Sequence, residues 1–325
     1  MQKLRKPVEL KRGDTIGIIA PSSPVERDLL ENGARELEAI GYRVIYANNL
    51  FTRWRFFAGD HQQRAETFLE FLKDPSIAAI FCARGGYGAN YVAEYLASRS
   101  LLQRMQRQQP KIVMGYSDVT SLLLFLNQSL GWVTFQGPML TKDFAEGEMG
   151  YERHVLEKVL ANSRSGFTLE ADAQTLRPGQ AEGRLLGGCL PMLVGTLGTP
   201  QELDTHGTIL LIEDLNEKAF RIDRMLFHLK RAGKFRQIKG VVFGEMVGCG
   251  QAGTPLDALR EIILDAFQGL DIPIVFGVRF GHTTQKGLTL PLGVRARLSV
   301  DNGTHLTLLE PAVSPRPKAV RRKAS

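Results

Sequence analysis

The chain has 325 residues, of which 43% are hydrophobic and 23% are charged. This ordinary globular composition excludes a disordered chain, a collagen and a disulfide-stapled miniprotein, and the length suits two domains. The formal net charge is +7, but most of the excess lies in residues 1–12 and in the tail from Ser314. Because the body between these ends is close to neutral, no nucleic acid is expected as a partner.

The sequence also lacks signs of secretion or membrane insertion. The first dozen residues are charged, without the apolar stretch of a secretory signal, and apolar runs such as residues 122–126 are far below the ~20 residues that span a membrane. Cys82, Cys189 and Cys249 form no Cys-x-x-Cys pair, which indicates neither a structural zinc site nor a disulfide framework. We therefore predict a cytoplasmic protein without a membrane partner.

Short apolar segments alternate with helical patterns through the first half of the chain. Leu30, Ala34 and Leu37, at spacings of four and three, predict the first helix. Near-continuous apolar strands between helices indicate a doubly wound parallel sheet, in which ligands bind beyond the carboxyl ends of the strands. The predicted strands are residues 15–20, 42–47, 77–83, 111–116 and 132–136, and the further helices are residues 62–72 and 119–130.

The pattern changes after residue 160. Later strands are predicted at residues 208–212, 239–243 and 274–278, helices at 218–231 and 256–267, and β-hairpins within 289–309 with Asp301-Asn302-Gly303 as a turn. The predicted organisation is an α/β domain over residues 1–160, a Ser-, Gly- and Pro-containing linker over 161–182, a second domain over 183–313 and a disordered basic tail over 314–325.

Ser117 is the first candidate for chemistry. It follows the apolar strand at residues 111–116 and precedes the helix at 119–130, which is the arrangement of a nucleophile elbow at a helix amino terminus. The segment lacks the second glycine of Gly-x-Ser-x-Gly, so an ordinary α/β-hydrolase is not supported. The alternative is that Ser117 only caps the helix.

A glycine loop, Arg84-Gly85-Gly86-Tyr87-Gly88, follows the third predicted strand. Glycines let the backbone approach a ligand and turn its N–H groups toward it, so the loop could bind an anion or form half of an oxyanion hole. It fits neither Gly-x-Gly-x-x-Gly nor a Walker loop, which argues against dinucleotides and nucleotide phosphates. The alternative interpretation is a tight turn.

His282 and Glu213 are the further candidates, each at the end of an apolar strand. A carboxylate at the position of Glu213 is costly to bury without a partner and would suit the orientation of a histidine. Glu245 is the competing carboxylate, and a surface ion pair is the alternative for both. No His-x-x-x-His or His-Glu-x-x-His occurs, so no metal is expected. A serine hydrolase is plausible on these residues alone.

Taken together, these motifs resemble the LD-carboxypeptidases, a family that includes the microcin C immunity peptidases. The resemblance runs from about Gly13 to Leu309 and rests on the glycine loop, Gly115-Tyr116-Ser117-Asp118-Val119-Thr120, Leu211-Ile212-Glu213-Asp214, the segment 220–226 and Gly281-His282. It implies an amino-terminal doubly wound domain similar to class I glutamine amidotransferases and a carboxy-terminal β-rich swivelling domain.

The resemblance also implies a site and a reaction. The triad would be Ser117, Glu213 and His282, and the amides of Gly86 and Asp118 would form the oxyanion hole. A homodimer without a cofactor would remove the terminal D-alanine from a murein tetrapeptide or muropeptide during peptidoglycan recycling.

Two residues of the glycine loop, Arg84 and Tyr87, are candidates for substrate binding, Arg84 through a substrate carboxylate. One departure stands at Cys189, where Gly187-Gly188-Cys189-Leu190 replaces the expected Gly-Gly-Asn-Leu, and it puts substrate positioning in question.

Three alternatives remain open. A peptidase of the same fold could act on a microcin-like aminoacyl-nucleotide conjugate, which aromatic side chains placed to stack a base would favour. A glutaminase-like subunit would need a cysteine nucleophile, whereas the elbow residue is Ser117 and Cys82 lies inside a strand. A non-catalytic binding protein would use only the glycine loop.

Overall fold

The computed structural model describes residues 4–250, 256–301 and 303–317. The strands are β1 (Thr15–Ile19), β2 (Arg43–Tyr46), β3 (Ile77–Cys82), β4 (Ile112–Gly115), β5 (Thr134–Gln136), β6 (Thr168–Ala171), β7 (Gln174–Arg177), β8 (Gly179–Cys189), β9 (Thr208–Glu213), β10 (Gly240–Gly244), β11 (Ile274–Val278), β12 (Leu290–Leu292), β13 (Arg295–Asp301) and β14 (Gly303–Leu308). The helices are α1 (Arg27–Ile40), α2 (His61–Lys73), α3 (Ala89–Leu96), α4 (Arg99–Gln106), α5 (Thr120–Leu130), α6 (Arg153–Ala161), α7 (Leu190–Gly195), α8 (Ala219–Arg231) and α9 (Leu256–Ala266).

The first sheet has six strands in the order β12-β5-β4-β3-β1-β2. Strands β1 to β5 pair in parallel, and β12 pairs with β5 in the antiparallel sense. The inner strands β1 and β4 are buried throughout because helices cover both faces, as the continuous apolar runs predicted. The strand order reverses between β1 and β3, so the carboxyl ends of β1, β3 and β4 border the crevice where such sheets bind ligands.

The second sheet has eight strands in the order β6-β14-β13-β8-β9-β10-β11-β7. Its centre, β8-β9-β10-β11, is parallel, and antiparallel strands flank it on both sides. The structure therefore confirms the predicted mixed α/β fold, with a parallel amino-terminal sheet and a separate β-rich carboxy-terminal domain. Strands β13 and β14 form the predicted hairpin, although Asn302 of its turn lies outside the described residues.

Three segments differ from the predicted organisation. The interval 161–182, interpreted as a linker, contains β6, β7 and the start of β8, which gain their partners from distant strands of the second sheet. Strand β12 belongs by sequence to the predicted second domain, but it pairs with β5 at the edge of the first sheet. In the predicted disordered tail, Ser314 donates its N–H to Pro7 O at 2.7 Å, while residues 318–325 lie outside the described part of the chain.

The two sheets meet beside α5. The backbone N–H of Cys189, at the end of β8, donates to the Thr120 hydroxyl at 3.2 Å, and a Cβ on Gly188 would lie 2.5 Å from Thr120 Cγ2. The carboxyl end of β8 therefore packs on the first turn of α5, directly after Ser117. This contact places the carboxyl end of β9, the neighbour of β8, close to the ends of β3 and β4.

Candidate active site

Ser117 lies in a sharp turn between β4 and α5. Its φ is 62°, the left-handed region that non-glycine residues seldom adopt. A 3-10 turn over Ser117–Val119 leads into α5, and no side chain forms a capping hydrogen bond at the start of the turn or of α5. The capping interpretation is therefore not supported, and the strained backbone is that of a nucleophile elbow.

The glycine loop packs directly against this elbow. A Cβ on Gly85 would lie 2.9 Å from Ser117 Cβ and 3.6 Å from the amide nitrogen of Asp118, so only glycine permits the approach. Gly86 has φ 114°, and a Cβ there would clash with the Ser23 hydroxyl. The residues predicted to form the oxyanion hole, Gly86 and Asp118, are thus brought to the same place as Ser117.

The Asp118 side chain has a function in the structure that the sequence did not indicate. It is buried and accepts hydrogen bonds from the Ser22 hydroxyl at 2.6 Å and from the Ala89 N–H at 2.8 Å. Ser22 follows β1, and Ala89 is the first residue of α3, where the helix dipole favours a negative charge. One carboxylate therefore ties the loop after β1, the end of the glycine loop and the elbow together.

His282 and Glu213 form a direct pair. Glu213 is fully buried at the end of β9, and its Oε2 lies 2.7 Å from Nδ1 of His282 and accepts the His282 backbone N–H at 3.1 Å. Gly281 makes this double contact possible, since its φ is 70° and a Cβ there would lie 2.5 Å from Glu213 Cδ. A carboxylate on Nδ1 fixes the ring orientation and leaves Nε2 available for another partner.

The imidazole lies beside the elbow. The rings of His282 and Tyr116 are perpendicular, with centroids 5.1 Å apart, and Tyr116 directly precedes Ser117. Tyr116 is held in turn by its hydroxyl, which donates to Asp143 at 3.2 Å. Within the described residues no hydrogen bond joins the Ser117 hydroxyl to the imidazole. The structure thus brings Ser117, Glu213 and His282 to one site, in which the Glu213–His282 pair is the hydrogen-bonded one.

The competing carboxylate, Glu245, has another partner. It accepts the backbone N–H of Thr284 at 2.7 Å and the Thr284 hydroxyl at 2.9 Å. Glu245 therefore holds the loop two residues beyond His282, whereas Glu213 holds the ring itself.

Arg84 and Tyr87, predicted to bind substrate, both lie in the glycine loop. Arg84 is half-buried and donates to Pro24 O at 3.3 Å. Tyr87 is 42% exposed. Neither the Arg84 hydrogen bond nor the exposure of Tyr87 tests a role in substrate binding, so both assignments remain predictions.

Burial and neighbouring carboxylates control the ionisation of the cysteines around the site. Burial, with Glu213, Asp214 and Asp118 nearby, raises the pKa of Cys189 well above its ordinary value. Burial also raises the pKa of Cys82, and it raises that of Cys249 to about 11. Because the thiolate is the nucleophilic form, these protonated thiols do not favour the glutaminase-like alternative.

The comparisons with known proteins agree with this geometry. The family model for the LD-carboxypeptidase N-terminal domain matches residues 16–137, and that for the C-terminal domain matches residues 182–298. A probable murein peptide carboxypeptidase of Bacillus subtilis is 34% identical over 316 residues, which cover 95% of each chain. The chain belongs to the LD-carboxypeptidase family. This LD-carboxypeptidase is therefore an enzyme, a peptidase and hydrolase, as the motifs predicted.

Similar proteins include an immunity protein as well as a muramoyltetrapeptide carboxypeptidase. The microcin C7 self-immunity protein MccF of Escherichia coli is 30% identical over 330 residues, covering 89% of this chain and 92% of MccF. The structure of MccF in complex with glutamyl sulfamoyl guanosine superposes with a TM-score of 0.84 at 24% identity over 95% of this chain and 99% of MccF. A muramoyltetrapeptide carboxypeptidase from Oxalobacter formigenes gives 0.77 at 28% identity over 90% and 99%.

None of the helices in the described part of the chain is long and apolar enough to cross a membrane. No group of three or more His, Cys, Asp or Glu side chains there could hold a metal ion.

Proposed function

We propose that this LD-carboxypeptidase is a serine peptidase that hydrolyses the bond between the L-configured centre of meso-diaminopimelate and the terminal D-alanine of murein tetrapeptides, in peptidoglycan recycling. One observation carries the proposal. The Glu213–His282 pair lies against Tyr116, next to a Ser117 whose backbone has the left-handed conformation of a nucleophile elbow. The likeness to the Bacillus and Oxalobacter proteins supports the choice of substrate.

The proposed reaction is an acyl transfer in two steps. His282 accepts the Ser117 proton on Nε2, since Nδ1 is occupied by Glu213, and Ser117 Oγ attacks the scissile carbonyl carbon. The C–N bond then breaks as His282 protonates the amine of the leaving D-alanine. Water, deprotonated by His282, hydrolyses the resulting ester and restores the Ser117 hydroxyl.

Charge develops at two places in this reaction, and groups of the protein are positioned to stabilise each charge. The carbonyl oxygen becomes an oxyanion, and the amides of Gly86 and Asp118, gathered beside Ser117, are the proposed donors. The imidazole becomes positive, and buried Glu213 stabilises that charge from a distance of 2.7 Å. Serine and histidine commonly close to hydrogen-bonding distance only when substrate binds, so their separation here is compatible with the mechanism.

The test uses purified enzyme and free murein tetrapeptide, with D-alanine release as the measurement. Ser117→Ala should lower kcat by roughly 10⁴–10⁶-fold, as loss of the nucleophile does in other triads. Ser121→Ala, one turn along α5, is the matched control and should retain activity. Wild-type enzyme that releases no D-alanine, or an equally active Ser117→Ala variant, would refute the proposal.

A second candidate function has one observation in its favour. The exposed ring of Phe56 lies 5.7 Å from the exposed ring of Tyr87 in the glycine loop, and such rings can stack a base. Together with the relationship to MccF, they support cleavage of an aminoacyl-nucleotide conjugate. Release of the amino acid from an aminoacyl sulfamoyl adenosine, measured beside tetrapeptide cleavage, decides between the two substrates.

The proposal also includes a homodimer that acts in the cytoplasm without a metal or cofactor. Sedimentation of the purified protein measures the oligomeric state. Full activity after treatment with a chelator is the expected result.

A further inference from the structure

The segment between β5 and α6 contains a turn of unusual geometry. We call residues 139–150 the linking segment. Within it the Phe144 N–H donates to Met139 O at 3.2 Å, five residues back, so Leu140–Phe144 form a π-helical turn. Single π-helical turns are rare, and many lie at functional sites. This turn carries the Asp143 side chain to the nucleophile elbow.

Asp143 joins the linking segment to the elbow. Its buried carboxylate accepts the Tyr116 hydroxyl at 3.2 Å and the Met139 N–H at 2.8 Å. Burial raises the pKa of Asp143 to about 6, so the group is largely ionised at neutral pH, and a buried charge depends on such donors. Tyr116 is also buried and directly precedes Ser117. Asp143 therefore fixes the side chain next to the proposed nucleophile.

Tyr116 in turn contacts the histidine. Its ring is perpendicular to the ring of His282, with the centroids 5.1 Å apart, which is the spacing of aromatic rings in contact. Close-packed rings limit each other's rotation. The imidazole therefore has two supports, the Glu213 carboxylate at 2.7 Å from Nδ1 and the Tyr116 ring.

The linking segment also contacts two loops of the candidate site. The Thr141 N–H and hydroxyl donate to Ala83 O at 2.9 and 3.0 Å, directly before the glycine loop. In the loop that carries the histidine, the Gly287 N–H donates to Gly150 O at 3.2 Å. Gly150 packs on the backbone of Asp143, since a Cβ on Gly150 would lie 2.1 Å from Asp143 O. The segment thus joins the glycine loop, the elbow and the histidine loop.

We propose that Tyr116 and Asp143 are positioning residues, which hold the imidazole of His282 in the orientation that accepts the Ser117 proton. The linking segment fixes Asp143, Asp143 fixes the Tyr116 ring through its hydroxyl, and the ring limits the movement of the imidazole. Both residues act through His282 and not on the substrate. The kinetic part of this inference rests on the proposed function, and the part that concerns the mobility of the imidazole does not.

Proton NMR tests the mobility part without a substrate. The Nδ1 proton of His282, in its bond to Glu213, exchanges with water only when that pair opens. Tyr116→Phe and Asp143→Ala should each raise the exchange rate about tenfold, because each removes the hydrogen bond that aims the ring. Asp143→Asn keeps an oxygen that accepts the Tyr116 hydroxyl, so its exchange rate should stay within about twofold of wild type.

Tyr151→Phe is the matched control. Tyr151 is as buried as Tyr116, and its hydroxyl also donates to a carboxylate, that of Glu36 in α1, at 2.5 Å. The substitution therefore removes the same kind of hydrogen bond, directed at α1 instead of at the elbow. The exchange rate of the His282 proton and kcat should both equal those of wild type.

The kinetic test measures D-alanine release from murein tetrapeptide. Tyr116→Phe should lower kcat about tenfold and change KM by less than about twofold, since the imidazole acts on the transition state. The double variant Tyr116→Phe/Asp143→Ala should lose no more kcat than Asp143→Ala alone, because the two residues act through one hydrogen bond. Independent structural effects would instead multiply.

The inference would be overturned by equal proton exchange in Tyr116→Phe and wild type, by an unchanged kcat in Tyr116→Phe, or by multiplied losses in the double variant. Equal losses of kcat in Tyr151→Phe and Tyr116→Phe would also overturn it, since they would assign the effect to stability in general. Faster exchange in Tyr116→Phe, together with a wild-type enzyme that releases no D-alanine, would instead refute the proposed function and leave the positioning role standing.

Discussion

The backbone of Ser117 stores strain that the proposed chemistry requires. A non-glycine residue in the left-handed region costs about 1–3 kcal/mol, and φ is 62° at this position. Ser117→Gly should relieve that strain and raise the free energy of unfolding by roughly 1 kcal/mol while abolishing D-alanine release. Urea denaturation measures the first effect. Ser117→Ala is the control, because it removes the hydroxyl and keeps the strain; equal stability of the two variants would contradict the argument.

Asp214 makes stability depend on pH. Burial, with Glu213 and Glu217 nearby, raises its pKa from 3.8 to about 7. Between these values the unfolded chain ionises while the folded protein keeps the proton, so stability falls as pH rises through this window. Asp214→Asn removes this dependence.

Thermal unfolding at two pH values checks this prediction. Asp214→Asn should match wild type near pH 4 and be more stable by roughly 1–3 kcal/mol at pH 8. Asp204→Asn, at an exposed position of the same region, is the control and should show no such pH-dependent gain. A loss of stability at pH 8 in Asp214→Asn would show that its ionised form is held favourably.

Among the secondary-structure elements, α2 fixes the geometry of two loops through Arg64. This side chain is buried, burial lowers its pKa to about 10, and it donates to the carbonyls of Pro21, Gly59 and Gly88. Pro21 follows β1 and Gly88 ends the glycine loop. Arg64 is therefore a positioning residue for the proposed oxyanion hole.

Arg64→Met should lower the free energy of unfolding by about 2–4 kcal/mol, because it leaves three buried carbonyls without donors. It should also lower kcat more than it raises KM, since the loop acts on the transition state. Arg64→Lys should recover part of both losses. Arg104→Met, at an exposed position of α4, controls for the loss of an arginine. An unchanged kcat in a folded Arg64→Met enzyme would remove this role.

The elements that the sequence predicted well are those with strong periodicity. β11 and α5 carry continuous apolar runs, and their bounds are within one residue of the predictions. Helix α3, with its amino terminus on the buried Asp118 carboxylate, went unpredicted because that contact joins residues 29 positions apart. Strand β12 was predicted within an alternating region, but alternation does not specify a partner, and β5 lies in the other sheet.

The candidate site likewise combines residues that the sequence could predict with contacts that it could not. Ser117, Glu213 and His282 could be singled out because each follows an apolar strand. The Glu213–His282 pairing and the approach of the glycine loop depend on close contacts at Gly281 and Gly85, and such packing is set by the tertiary fold. Arg64 gave no sequence signal that distinguishes it from a surface residue.

At the scale of the whole molecule, the ends of the described chain pair with each other. Val8 and Ser314 form a parallel bridge, with Ser314 N–H on Pro7 O at 2.7 Å and Glu9 N–H on Ser314 O at 2.9 Å. Lys6 pairs with Glu310 at 2.6 Å. The segment before β1 is thereby fixed to the segment after β14, so this terminal clasp joins the two sheets at a point remote in sequence from Ser117.

Removal of residues 314–325 tests the clasp. It deletes two backbone hydrogen bonds and the contact of Arg316 with Asp14, and at about 1 kcal/mol for each backbone bond it should lower the free energy of unfolding by roughly 1–3 kcal/mol. Removal of residues 318–325 takes away no contact that the structure describes and serves as the control. Because the clasp lies away from the site, tetrapeptide kcat should be equal in both truncations below their unfolding temperatures. Identical denaturation midpoints for the two truncations would mean that β12 and the β8–α5 contact hold the sheets together without the clasp.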